Sequence, residues 1–120
     1  MAGFAAFSIH RANSYRPLAG KDNEAMQLWT ETPAWLDGQA KLGFFSRWDG
    51  FWLTPHGGDM NSAYICYGER AKLDEWRRTD AFEAWVFKAG SCMEGLGVIP
   101  GVNVAAARET MERRAKALAK

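Results

Sequence analysis

Hydrophobic positions along this chain alternate, then recur every three or four residues, then alternate again. Phe4 to Ala12 alternates and reads as a first strand, with Phe7 and Ile9 on one face and Ser8 and His10 on the other. Asp22 is placed to cap a helix whose apolar side is Ala25, Met26, Leu28 and Trp29. Pro33 has no N–H to give to a helix interior, so this helix is expected to break near Glu31 and restart as a short turn from Thr32-Pro33, closed by Gly38. Leu42 to Thr54 reads as one long second strand with a bulge at Asp49-Gly50. Pro55 to Asp59 turns the chain back, and Ala63 to Tyr67 is a buried strand antiparallel to it.

The pattern then becomes helical. Leu73 and Trp76 share one face over one turn, and Thr79-Asp80 interrupts with the chemistry of a helix start. Phe82, Trp85, Val86, Ala89 and Met93 form the stripe of a second, core-facing segment. Phe87 falls off that stripe, which places it at a subunit contact or a pocket mouth. Val98 to Val104 is the last strand, an edge strand because Pro100 cannot donate to a ladder. Ala105 to Lys120 is a charged helix with a thin stripe of Met111, Ala115 and Leu118.

The element order is strand, helix, strand, strand, helix, strand, then an added helix. That is the α+β class, in the ferredoxin-like split βαβ arrangement: a four-stranded antiparallel sheet with helices on one face. Residues 1–104 would make the domain and 105–120 the extra C-terminal helix. The sheet face without helices is apolar over much of its area, and a symmetric homodimer, sheet against sheet, covers it most simply.

Composition narrows the function. One domain is expected from 120 residues, and a formal net charge of +1 argues against a protein that binds nucleic acid by neutralising phosphates. Six Trp, seven Phe and three Tyr are enough large rings to build a core, an interface or a pocket for a flat apolar ligand. Cys66 and Cys92 lack metal or redox spacing and read as reduced, buried thiols of a cytoplasmic protein. The opening MAGFAAFSI lacks the basic region of a signal peptide, and no stretch approaches a membrane span.

GFFSRW, AYICYGER and LDEWRRTDAFEAW together resemble the antibiotic biosynthesis monooxygenase superfamily, over the middle half to two thirds of the chain. Tyr67-Gly68-Glu69 stands at that family's strand exit, and Leu73, Trp76, Thr79 and Phe82 stand in its helix motif. The resemblance implies a dimeric α/β barrel of ferredoxin-like protomers with a ligand pocket between sheet and helices. The family contains cofactor-free oxygenases of anthrones and quinols, haem-degrading oxygenases, isomerases and polyketide cyclases. Its haem-degrading branch uses an Asn, a Trp and an axial His, which align near Asn13, on Tyr67 and near Val86; the helix around Val86 has no His, against that branch.

Each candidate residue has a functional and a structural reading. Asn13 with Arg11 would hydrogen-bond a ligand carbonyl or oxyanion, or cap a loop. Tyr67 would orient or deprotonate a phenol, or be one more core ring. Trp48, Trp52, Trp85 and Phe82 would wall a flat ligand, or pack in the core or a dimer contact. Arg47, with Asp49, is a ligand clamp or an ion pair. His10, His56 and Asp59 would hold a metal only if they converged, so no metal site is assigned. The reading favours a small dimeric enzyme on a hydrophobic aromatic or polyketide-like substrate, a cofactor-independent monooxygenase. The alternatives are a haem or hydrophobic-ligand binding protein without turnover, a polyketide cyclase or isomerase, and an interaction domain whose aromatic residues only build a dimer.

Overall fold

A computed structural model of the chain describes residues 2–10, 20–54, 60–93 and 95–119. The elements are β1 (Ala2–His10), α1 (Asp22–Lys41), β2 (Arg47–Trp52), β3 (Met60–Glu69), α2 (Arg70–Arg77), α3 (Asp80–Cys92), β4 (Leu96–Val102) and α4 (Val104–Leu118). The strands form one sheet in the order β2-β3-β1-β4. β1 pairs antiparallel with both β3 and β4, and β2 pairs antiparallel with β3. β3 therefore lies between β1 and β2, and β1 between β3 and β4, which is the split βαβ order. β4 is an outer strand, where Pro100, opposite Ala5, removes no inner ladder bond.

Several local expectations change, and Lys21 rather than Asp22 stands at the N-cap of α1. First, α1 is unbroken across Pro33. Its buried residues Ala25, Leu28, Trp29, Thr32, Leu36 and Gln39 keep one face on the core from end to end. Burying that face outweighs the roughly 3 kcal/mol cost of an interior proline. The helix runs to Lys41, and Gly43, two residues on and with a φ of 91°, makes the left-handed turn that closes it.

Second, β2 begins at Arg47, so Leu42–Ser46 lies outside the sheet. Third, β2 has no bulge: its register with β3 runs without interruption from Arg47 opposite Tyr67 to Trp52 opposite Ser62. Gly50 is needed for another reason. It faces the Tyr64 ring, and a Cβ there would stand 2.9 Å from Tyr64 Cε1. β1 and β4 are also displaced by two residues from the expected bounds, beginning at Ala2 and Leu96.

The break in the second helix forms as read. The Thr79 hydroxyl accepts from the Phe82 N–H at 3.2 Å and donates to the Trp76 carbonyl at 2.7 Å, joining the end of α2 to the start of α3. Ser62, Tyr64 and Cys66 of β3 are buried in the core. Trp76 of α2 is 0% exposed at its centre, touching Phe45 and Phe82 at ring separations of 4.7 and 4.8 Å. Its indole N–H donates to Gln39 Oε1 at 2.9 Å, tying α2 to α1.

The intervening residues of β3, Ala63, Ile65 and Tyr67, are half-buried on the other face. They lie opposite Phe51, Asp49 and Arg47 of β2. α4 leaves the body, with Val104, Met111 and Leu118 all exposed. The radius of gyration, 16.6 Å, accordingly exceeds the roughly 14 Å of a compact domain this long.

Candidate functional site

The alternation of side chains along β2 sorts the candidate residues before any ligand is considered. Arg47, Asp49 and Phe51 take the face away from the helices; Trp48, Gly50 and Trp52 take the helix side with Cys66, Tyr64 and Ser62. Arg47 is the register partner of Tyr67, and its guanidinium lies 3.9 Å from the centre of the Tyr67 ring. The same guanidinium donates to Asp49 Oδ2 at 2.8 Å. Ring and carboxylate together hold a cation whose side chain is still 61% exposed.

This pair stands in an open cleft of about 480 Å³ where β2 begins and β3 runs into α2, lined also by Phe44, Ser46, Lys72 and Asn103. Its floor is fixed by two bonds to the Tyr67 carbonyl, from the Ser46 N–H at 2.8 Å and the Ser46 hydroxyl at 2.9 Å. Gly68 makes that approach possible, because a Cβ there would lie 2.9 Å from the Phe45 Cα. Lys72 adds a second cation, which reaches Glu75 at 3.4 Å. The cleft thus offers two exposed cations, the rings of Phe44, Phe45 and Tyr67, and a serine hydroxyl, beside one carboxylate, Glu69. It suits a planar molecule carrying an oxyanion.

The other predicted wall residues do not join it. Trp48 donates its indole N–H to Asp37 Oδ1 of α1 at 2.8 Å and meets Tyr64 edge-on at 5.8 Å. Trp52, 65% exposed, leans toward Trp29 at 6.2 Å. Phe82 is buried against Trp76. Trp85 stacks on Trp35 with ring centres 5.5 Å apart, forming the base of a separate groove between α1 and α3 of about 320 Å³. At that groove Glu31 is held below the usual carboxylate range by the Gln27 side-chain amide and then by Lys88. On the helix side of the sheet, Trp29 packs on Tyr64 and Phe45 on Trp76, each with ring centres 4.7 Å apart.

Arg11, Asn13, His56 and Asp59 lie outside the described residues, and of His10 the described part is its backbone, paired with Met60. Among the described residues no group of three His, Cys, Asp or Glu side chains could hold a metal ion. The thiols of Cys66 and Cys92 are free and buried, and burial pushes Cys66 up to about 12 and Cys92 upward. Neither serves as a nucleophile near neutral pH. Burial likewise pushes the Tyr64 phenol up to about 12, so it stays protonated. Ser46, Lys72, Phe44 and Asn103 escaped the sequence reading. Lys72 had a signal, one turn into the helix that follows the Tyr67 exit; the others had none in residue type or spacing.

No family profile and no curated protein sequence matches the chain. A solved structure does: a dimeric protein of unknown function and ferredoxin-like fold from Bacteroides fragilis. The two are 9% identical and superpose with a TM-score of 0.54 over 82% of this chain and 93% of that one. The chain has a ferredoxin-like fold. At that identity the likeness is one of fold alone, and the narrower resemblance to the monooxygenase superfamily rests on the motif residues. No helix among the described residues is long and apolar enough to cross a membrane.

Proposed function

We propose that this protein is a homodimer that takes a flat, weakly acidic aromatic or polyketide-like molecule into the cleft at the head of β2. There it holds the molecule as a phenolate or enolate, in the manner of a cofactor-independent monooxygenase. The observation that carries the reading is Arg47 on Tyr67. A guanidinium has five N–H donors, and the bond to Asp49 leaves others to meet a ligand oxygen. The Tyr67 ring fixes the plane of that fork, and Ser46 and Lys72 flank it.

The dimer supplies what one protomer lacks. Phe51 and Ile99, 44% and 47% exposed, lie with Ile65 on the open sheet face. A second copy laid on that face buries them and roofs the cleft. Excluding water there strengthens the hold of Arg47 on an anion. The dimeric state of the Bacteroides protein supports this assembly.

A substrate CH₂ between two phenolic rings gives a carbanion stabilised as phenolate, and that anion reduces dioxygen: R₂CH₂ + O₂ → R₂C=O + H₂O. Substrate is the reductant, and the protein's part is to bind, orient and stabilise the anion. A hydroxylated anthrone is the probe. Dissolved-oxygen uptake with a product gaining one oxygen and losing two hydrogens, weakened at least tenfold in Arg47→Ala, supports the reading. Uptake no faster than the protein-free solution contradicts it. Binding without turnover is the second reading, favoured by the openness of the cleft in a single protomer; saturable probe binding without oxygen uptake distinguishes it.

A further inference from the structure

The end of α2 carries two arginines that the cleft does not use. Arg77 and Arg78 stand between the motif residues Trp76 and Thr79 and are not part of that motif. Both line a cavity of about 370 Å³, together with Asp74 of α2, Phe82 and Val86 of α3, and Val98 of β4. That volume lies within the roughly 300–1,000 Å³ of small-molecule pockets. Val98 is the register partner of Phe7, and Phe7 of Tyr64, so Val98 takes the helix side of the sheet. The cavity is thus away from the open face on which a second copy would lie. It is also separate from the cleft at β2: of the α2 residues, Lys72 lines the cleft, while Asp74 and Arg77 line the cavity.

The charges in it do not balance, because two guanidiniums meet one carboxylate. Arg77 is partly buried, and its Nη1 stands 3.9 Å from Asp74 Oδ1, beyond hydrogen-bond length. Arg78, the exposed C-cap of α2, has no side-chain ion pair or hydrogen bond among the described residues. The rest of the lining is apolar: Phe82 is buried against Trp76, and Val86 and Val98 are half-buried. A carboxylate meeting both guanidiniums gives each the charge-assisted partner it lacks. Beyond that head, no lining side chain offers a polar group, so the body of the ligand is held by apolar burial alone. A flexible alkyl chain meets both terms.

We propose that this cavity binds a straight-chain alkyl carboxylate of medium length. Its head lies on Arg77 and Arg78, and its chain on Phe82, Val86 and Val98. This site goes beyond the cleft reading and does not depend on it.

Octanoate, titrated into the full chain by calorimetry, is the probe. One saturable site per chain is expected, weakened at least tenfold in Arg77→Ala and in Arg78→Ala and kept in Arg47→Ala. Arg78 is exposed, so Arg78→Ala should fold as the parent does, which circular dichroism checks. Octanol lacks the charged head and acetate lacks the chain, and each is expected to bind at least tenfold more weakly than octanoate. Octanoate binding that survives Arg78→Ala, that is lost in Arg47→Ala, or that octanol equals would overturn the proposal. So would a parent protein without saturable octanoate binding.

Discussion

The Trp85 indole donates its N–H to the Thr32 hydroxyl at 3.1 Å, and that hydroxyl donates in turn to the Leu28 carbonyl at 2.7 Å. One buried threonine, directly before Pro33, thus joins α3 to α1 at the point where α1 was expected to break. Thr32→Val keeps the shape and removes the hydroxyl. It should cost about 1–3 kcal/mol, because the Trp85 N–H loses this acceptor in a buried place. Thr32→Ser should recover most of that. Urea midpoints of the two variants check it, and a Thr32→Val protein as stable as the parent would show that the bond contributes nothing.

Gly68 is the glycine on which the cleft depends. Gly68→Ala drives a methyl into the Phe45 backbone, 2.9 Å away, where no flexible side chain can yield. The variant should lose roughly 1–3 kcal/mol, and whatever ligand the parent retains. Thermal melts with and without the anthrone probe read both effects. A stable variant that still binds would mean the Ser46–Tyr67 closure is dispensable.

Alkali should destabilise the protein before it reaches ordinary tyrosine ionisation. Cys66 is raised from 9.0 and Tyr64 from 10.0, each to about 12. Both are neutral when protonated, so the folded state keeps protons that the unfolded chain has released. Their stability contribution is full below pH about 9 and is lost as pH rises toward 12, at about 1.4 kcal/mol per pH unit for each group. Cys92, raised by burial, acts in the same direction. Urea midpoints at pH 7, 9 and 10.5 should fall, and Cys66→Ala should flatten the drop. A midpoint constant to pH 10.5 contradicts the burial of these groups.

Much of this arrangement was legible. Element order and the cap at Thr79 followed from period and residue type, and strand parity alone already separated Arg47 and Asp49 from Trp48 and Trp52. What stayed hidden depended on contacts distant in sequence. Pro33 inside α1 is tolerated because Leu28, Trp29 and Leu36 on either side are buried together, a fact of packing rather than of local preference. Gly50 resembled a bulge because glycine marks both bulges and close approaches, and only Tyr64 across the ladder decides between them. Trp85 and Phe82 stood on the core-facing stripe of their helix and were also candidates to wall a ligand. Their partners Thr32 and Trp76 put them in the core.

Arg47 and Tyr67 should separate in their effects. Arg47→Ala leaves the fold within about 0.5 kcal/mol of the parent, since its side chain is 61% exposed, yet should weaken anion binding at least tenfold. Tyr67→Phe keeps the ring under the guanidinium and should change affinity less than it changes turnover. Titration of the anthrone probe and steady-state oxygen uptake supply the two readouts. Equal loss of both in Tyr67→Phe would mean the hydroxyl serves binding alone.

The most direct test of the central claim is native mass spectrometry of the purified protein mixed with the anthrone probe, followed by the same sample denatured. A dimer carrying the probe without covalent attachment is expected, with the adduct lost on denaturation and absent from Arg47→Ala. A monomer, or a dimer that takes up the probe equally with Arg47 removed, would contradict it.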